Sequence, residues 1–158
     1  MKIFNSTNIS KKYARSSLAI GNFDGSHKGH QKVFRYAKKH AKKNKSKFGI
    51  LTFSPLPIMF FNKKIKNYRL VSEEEKFHLL KEYGVDFVIN IKFNKSFSKI
   101  SAENFIKKII IKKINPKLIF VSNNFKFGNK RKGDVNLLKK FSKNYNYRLL
   151  KIKPQKYK

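Results

Sequence analysis

The chain has 158 residues, enough for one domain with an apolar core, and a formal net charge of +31. It contains no cysteine, which excludes a disulfide framework and a cysteine-based zinc site. No apolar run approaches the roughly 20 residues of a membrane-spanning helix, and the N-terminus has no apolar signal-peptide core. A soluble cytoplasmic protein is therefore expected.

The positive charge has two interpretations. Nearly all positive residues are lysines, spread along the whole chain, and Asn, Ile and Phe are abundant beside them. An AT-rich genome produces this joint enrichment by codon drift, with the lysines on solvated faces. The alternative is a basic nucleic-acid-associated protein, although such proteins usually favour arginine, whose planar fork makes bidentate contacts. In either case the charge attracts anionic ligands.

Apolar runs and helical patterns alternate along the chain. The predicted strands are residues 17–20, 48–53, 87–91, 118–121 and 147–152. Helices are predicted over residues 31–43, from a capping box at 72–75 to Gly84, over 101–113 and over 134–143. Helices of this length between apolar strands make right-handed βαβ units. The expected fold is α/β, with a parallel sheet of about five strands and helices on both faces.

The segment after the first predicted strand carries the strongest chemical signal. Residues 21–30 read Gly-Asn-Phe-Asp-Gly-Ser-His-Lys-Gly-His and join that strand to the first helix. The first turn of a helix has N–H groups without helical partners and a partial positive charge, which favour anions. His27 and His30 can donate to phosphate oxygens, and Asp24 adds a carboxylate. The pattern predicts a nucleoside triphosphate site, the alternative being glycines that serve only the turn.

Two further loops are expected to meet this turn. In an open parallel sheet, ligands bind beyond the carboxyl ends of the strands, near the point where strand order reverses. The loops that follow the first, second and fourth predicted strands are residues 21–30, 52–61 and 122–134. All three contain unusual residues, so we expect them to form one site.

Several motifs in these regions together resemble a known family. Residues 121–134 read Val-Ser-Asn-Asn-Phe-Lys-Phe-Gly-Asn-Lys-Arg-Lys-Gly-Asp, and residues 52–57 read Thr-Phe-Ser-Pro-Leu-Pro. Arg69-Leu70 and the Ser-Ala-Glu-Asn-Phe sequence at 101–105 match as well. With the glycine turn, in this order and spacing, the chain resembles the FMN adenylyltransferase domain of bacterial bifunctional FAD synthetases.

The resemblance implies a Rossmann-like nucleotidyltransferase fold and the reaction ATP + FMN → FAD + pyrophosphate, with Mg²⁺. It implies that the catalytic residues are His27, His30 and Asn124. It implies that ATP is bound by Gly21, Asn22, Phe23, Asp24, His27, His30 and Arg131. It implies that FMN is bound by Pro55, Pro57, Phe61, Asn124 and Phe127. Because Mg²⁺ is usually held through phosphate oxygens and water with few protein ligands, no metal-binding side chains are expected.

The chemistry requires no protein nucleophile, because an FMN phosphate oxygen attacks the α-phosphorus of ATP. Catalysis would consist of positioning and charge stabilisation by the histidines, Lys130 and Arg131. Alternatives remain for individual residues. Phe61 and Phe127 are equally compatible with the core, Arg131 with a solvated charge run, and Asn124 with a simple turn.

The chain also departs from the family pattern. Ser122 stands where the family usually has glycine, and Leu56 replaces the histidine of a Pro-His-Pro sequence. The chain ends at Lys158, before a Ser/Thr-Arg segment and a riboflavin kinase domain that the family carries. Residues 1–158 are thus expected to form one C-terminally short domain without kinase activity. Its turnover would be impaired or completed by another chain; a nucleotide- or flavin-binding remnant and a fragment are the alternatives.

Overall fold

The computed structural model describes residues 1–24, 28–62, 64 and 72–153. Strands β1 to β5 are, in chain order, Lys2–Phe4, Ser17–Ile20, Phe48–Ser54, Phe87–Lys92 and Leu118–Ser122. Strands β6, β7 and β8 are Lys126–Phe127, Gly133–Asp134 and Arg148–Ile152. Within the described residues, six strands form one parallel sheet in the order β1-β4-β3-β2-β5-β8, and β6 pairs with β7 antiparallel.

Helices connect these strands. Helices α1, α2 and α3 are Lys28–Lys43, Pro57–Phe61 and Glu73–Glu82. Helices α4, α5 and α6 are Lys95–Ser98, Ala102–Asn104 and Val135–Ser142, and α5 continues as a π-helical segment, Phe105–Ile114. Short 3₁₀ turns occur at Lys11–Tyr13 and Asn129–Arg131. No helix in these described ranges is long and apolar enough to cross a membrane.

Side-chain caps set where several helices begin. Ser72 Oγ accepts a hydrogen bond from the Glu75 N–H at 3.1 Å, which confirms the predicted cap of α3. Asp134 accepts from the Leu137 N–H at 2.9 Å, so it caps α6 and stands just before it. The Tyr147 hydroxyl donates to the Leu138 carbonyl, which ties α6 to the start of β8, and burial raises the pKa of Tyr147 well above its usual value.

Two apolar layers enclose the sheet, because successive residues of a strand point to opposite faces. Leu18 and Ile20 of β2 belong to a core with the π-helical segment and α6. Ala19, between them, belongs to a second core with α1 and α3. The predicted α/β class, the parallel sheet and the helices on both faces are confirmed.

The structure also corrects details of the prediction. Strand β1 is a sixth strand at the sheet edge beside β4, and its three residues are too few to show a pattern. Helix α1 begins at Lys28, three residues before Gln31, because the apolar spacing starts only at Val33. Helix α2 occupies part of the predicted loop after β3, since a proline in the first helical turn is tolerated.

Candidate active site

A cavity of about 910 Å³ opens beyond the carboxyl ends of β2, β3 and β5. This volume lies within the range of about 300–1,000 Å³ that is usual for ligand pockets. Strand β2 pairs with β3 on one side and with β5 on the other, so the cavity lies where the strand order reverses. Its walls come from the turn after β2, from α2, from the segment after β4 and from the loop after β5.

Most of the predicted site residues lie in this wall. They are Gly21, Asn22, Phe23, His30, Pro57, Phe61, Asn124, Phe127 and Arg131. Of the other predicted residues, Asp24 and Pro55 are not in the described wall of the cavity. His27 lies outside the described residues, as do Arg69 and Leu70.

Residues 21–24, which we name the β2 turn, have a constrained backbone. The Gly21 N–H donates to the Leu51 carbonyl at 3.1 Å, and a Cβ at position 21 would lie 3.1 Å from the Phe23 ring. Phe23 has a φ of +48°, in the left-handed region that costs most residues conformational energy. Its buried ring lies 5.1 Å from the His30 ring, centroid to centroid. The turn therefore positions an imidazole in the first turn of α1.

Residues 123–134, which we name the β5 loop, are fixed by close packing. Gly128 has a φ of +79°, and a Cβ there would lie 2.6 Å from the Ala102 Cα. The Asn129 N–H donates to the Ile100 carbonyl at 2.8 Å, and its side chain donates to the Ser98 carbonyl at 3.1 Å. This packing explains why the Phe-Gly motif of the loop accompanies the Ser-Ala-Glu-Asn-Phe motif at the start of α5.

The two departures from the family pattern are accommodated. Ser122 Oγ donates to Asn124 Oδ1 at 2.8 Å, so the hydroxyl orients the amide of a predicted catalytic residue. Leu56, where the family has histidine, is buried and is not in the described cavity wall. Neither change blocks the cavity.

A row of phenylalanines forms one wall of the cavity. Adjacent ring centroids are 5.7, 5.4, 6.1, 5.4 and 5.4 Å apart along the row. We name this row the aromatic band: Phe61, Phe93, Phe97, Phe105, Phe127 and Phe125.

The aromatic band lies on the side of the sheet that faces α5. Its first member, Phe61, is 67% exposed at the cavity mouth and is not a core residue. Phe127 is only 6% exposed and belongs both to the core and to the cavity wall. Of the two alternatives for these residues, a core position is therefore wrong for Phe61. Phe127 belongs to the core and also lines the cavity.

Polar and basic groups complete the cavity. The β2 turn and His30 belong to the α1 side of the sheet, since the Phe23 ring packs in the core layer with Phe34. Lys130 and Arg131 of the β5 loop are exposed, line the cavity and both have a φ of +55°. The cavity thus combines an aromatic wall with cations and a backbone turn that are suited to an anion.

Phe93 and Phe97 line the cavity although the sequence did not predict them there. They follow β4, and the strand order that puts β4 beside β3 is not visible in the sequence. Two phenylalanines four residues apart, just beyond the carboxyl end of a buried strand, are the signal that could have indicated them.

A parallel sheet flanked by helices, with a cavity where strand order reverses, defines a Rossmann-like α/β protein. The family model described as FAD synthetase matches residues 9–158. The chain belongs to the FAD synthetase family.

Curated relatives agree with this assignment. The bifunctional riboflavin kinase/FMN adenylyltransferase of Buchnera aphidicola subsp. Schizaphis graminum is 40% identical over 151 residues, 96% of this chain and 48% of that protein. The Escherichia coli K12 protein of the same name is 34% identical over 130 residues, 82% of this chain and 42% of its own length. The chain spans about half the length of these relatives.

Solved structures share the fold. A macrolide-efflux protein from Streptococcus pneumoniae matches 99% of this chain and 50% of its own, with a TM-score of 0.81 and 24% identity. A pantoate-beta-alanine ligase from Francisella tularensis, complexed with beta-gamma ATP and beta-alanine, matches 99% of this chain and 68% of its own. Its TM-score is 0.63 at 12% identity. Identities this low show a common fold alone.

Proposed function

We propose that this chain is an FMN adenylyltransferase, which transfers AMP from ATP to FMN and releases pyrophosphate. The observation that carries the proposal is the FAD synthetase match over residues 9–158, because this range includes all the described residues that line the cavity. We further propose that the chain forms one FMN adenylyltransferase-like domain and acts in the cytoplasm.

The two walls of the cavity suit the two substrates. A flavin ring is flat and largely apolar, so it would stack on the aromatic band, where Phe61 and Phe93 are accessible from the mouth. The triphosphate would lie against the β2 turn and His30, with Lys130 and Arg131 facing it from the β5 loop. From the sequence motif alone, we also propose that His27 contributes a second imidazole to ATP binding.

The reaction then needs alignment more than covalent chemistry. An FMN phosphate oxygen forms a bond to the α-phosphorus of ATP while the bond to the bridging oxygen of pyrophosphate breaks. His30 and Arg131 would offset the negative charge on the phosphates. Because Asn124 Oδ1 accepts from Ser122, the amide nitrogen of Asn124 is the group that would donate to a ligand oxygen.

We propose that Mg²⁺ takes part as a partner of ATP. Among the described residues, no group of three or more His, Cys, Asp or Glu side chains could hold a metal ion. Mg²⁺ would therefore be bound chiefly through the phosphate oxygens of ATP and through water, as it often is in proteins. When bound, the ion would supply charge neutralisation on the phosphates.

Product analysis tests the proposal directly. The purified chain, incubated with ATP, FMN and MgCl₂, should form FAD and pyrophosphate in equal amounts. Riboflavin in place of FMN should give no FAD, because it lacks the attacking phosphate. Binding of ATP and FMN without FAD formation would instead support a binding remnant, and binding of neither ligand would refute both.

A further inference from the structure

A buried lysine lies behind the β2 turn. Lys76 of α3 is 7% exposed, and its Nζ donates to Thr52 Oγ1 at 2.7 Å. Thr52 is fully buried in β3, and its hydroxyl donates to the Asn22 carbonyl at 3.0 Å. We name this series of hydrogen bonds, from ammonium to hydroxyl to backbone carbonyl, the Lys76 relay.

Neighbouring contacts fix the helix that carries the lysine. Asn90 of β4 pairs in register with Thr52, and its side chain donates to Glu73 Oε1 at 2.9 Å. Glu73 lies one turn before Lys76 on α3, and the Ser72 cap sets the start of the same helix. Polar contacts to two adjacent strands therefore hold the first turns of α3 against the sheet.

Burial of an ammonium group is costly unless strong hydrogen bonds compensate for lost water. An apolar side chain of similar length, such as methionine, would fill the same space without that cost. The relay ends on the backbone of the β2 turn, which lines the cavity, and not within the apolar core. This placement favours a role in holding the turn over a role in packing alone.

The hydrogen bond to the Asn22 carbonyl constrains the Asn22–Phe23 peptide, which lines the cavity. In a trans peptide the C=O and N–H groups point in opposite directions, so this hydrogen bond directs the Phe23 N–H away from Thr52. Phe23 is in the left-handed region, and its ring contacts the ring of His30. One hydrogen bond thus helps to fix both the orientation of the Asn22–Phe23 peptide and the position of the His30 imidazole.

We propose that Lys76 is a positioning residue for ATP, which holds the Asn22–Phe23 peptide and His30 in place through the Thr52 hydroxyl. The inference rests on the proposed function, since the β2 turn is assigned to ATP there. It adds a residue that does not itself contact the ligand.

Four single variants and the double variant of Lys76→Met with Thr52→Val test the relay. Lys76→Met removes the ammonium, Thr52→Val removes the hydroxyl but keeps the shape, and Thr52→Ser restores the hydroxyl. Lys81→Met, at an exposed position of α3, is the matched control for loss of charge. Circular dichroism establishes folding, calorimetry gives Kd for ATP and FMN, and the FAD assay gives both KM values.

Lys76→Met and Thr52→Val should each raise the Kd and KM for ATP about tenfold, the loss expected for a hydrogen bond to a charged group. The Kd of the double variant for ATP should be no higher than that of the weaker-binding single variant, because both changes break the same relay. In all these variants the affinity for FMN should stay within about twofold of the wild-type value. The affinity of Thr52→Ser and Lys81→Met for ATP should also stay within about twofold of wild type.

Other outcomes are equally informative. Folded Lys76→Met or Thr52→Val with wild-type ATP affinity would overturn the inference while FAD synthesis still stood. If Lys76→Met does not fold, the comparison of ATP affinity between Thr52→Val and Thr52→Ser tests the inference by itself. A wild-type chain that binds ATP without making FAD would refute the proposed function, and the Kd values would still test the relay. A chain that does not bind ATP would overturn both.

Discussion

The β2 turn and the β5 loop border the same cavity but are held in place by different forces. Buried hydrogen bonds hold the turn, because Thr52 reaches the Asn22 carbonyl and Lys76 reaches Thr52. Close packing dominates in the loop, where Gly128 packs directly on Ala102 and the Phe127 ring fills the space beside Gly133, together with the two hydrogen bonds that Asn129 donates. Changes at the packed glycines of the loop should therefore affect stability first, whereas changes around the turn should affect ligand binding and rate.

The largest expected effect is on the β5 loop. Gly128→Val should destabilise the fold by about 2–3 kcal/mol or more, since the new side chain meets the Ala102 backbone and the φ is unsuitable. Thermal unfolding measures this change. Lys132→Ala, at an exposed position of the same loop, is the control and should unfold like the wild type. A Gly128→Val protein of wild-type stability would show that packing does not hold the loop.

The next effect concerns the β2 turn. His30→Ala should fold normally, because His30 is only partly buried, and should lower kcat by about 100-fold through loss of charge stabilisation. Steady-state FAD synthesis measures the rate. His78→Ala, which removes an exposed imidazole of α3, should leave kcat unchanged. An equal kcat in both variants would remove His30 from the chemistry.

A smaller effect is expected from the cation of the β5 loop. Arg131→Ala should raise the Kd for ATP about tenfold, the loss of one charge-assisted hydrogen bond. Calorimetric titration measures the affinity, with Lys132→Ala as the control for net charge. If both variants weaken ATP binding equally, Arg131 belongs to a solvated charge run and makes no specific contact.

The smallest effect should appear at the cavity mouth. Phe61→Ala should weaken FMN binding about fivefold through loss of a stacking surface, with ATP affinity and stability unchanged. Tyr36→Ala, which removes an exposed aromatic ring of α1 outside the described cavity wall, is the matched control. Weaker ATP binding in Phe61→Ala would mean that the aromatic band does not bind FMN alone.

The sequence predicted the fold and much of the cavity for physical reasons that can be named. Buried parallel strands are continuous apolar runs, and the glycine turn is a local motif with its own chemistry. Phe93 and Phe97 were not predicted, because their place in the site depends on strand order, which arises from long-range pairing.

The role of Lys76 behind the β2 turn was not predicted from the sequence either. Lys76 follows the three glutamates of a capping box and resembles a solvated helix residue in the sequence. Its burial becomes visible only when α3 packs on β3. The sixth strand was missed for another reason, since three residues carry too little periodicity to indicate a strand.

A crystal structure of the chain with bound FAD would show whether the two walls of the cavity hold different parts of the product, because FAD contains both the flavin ring and the adenylate. We expect the isoalloxazine ring to lie against the aromatic band and the diphosphate to lie between the β2 turn and Arg131. A flavin ring packed on the β2 turn, or FAD bound outside the cavity, would contradict this expectation.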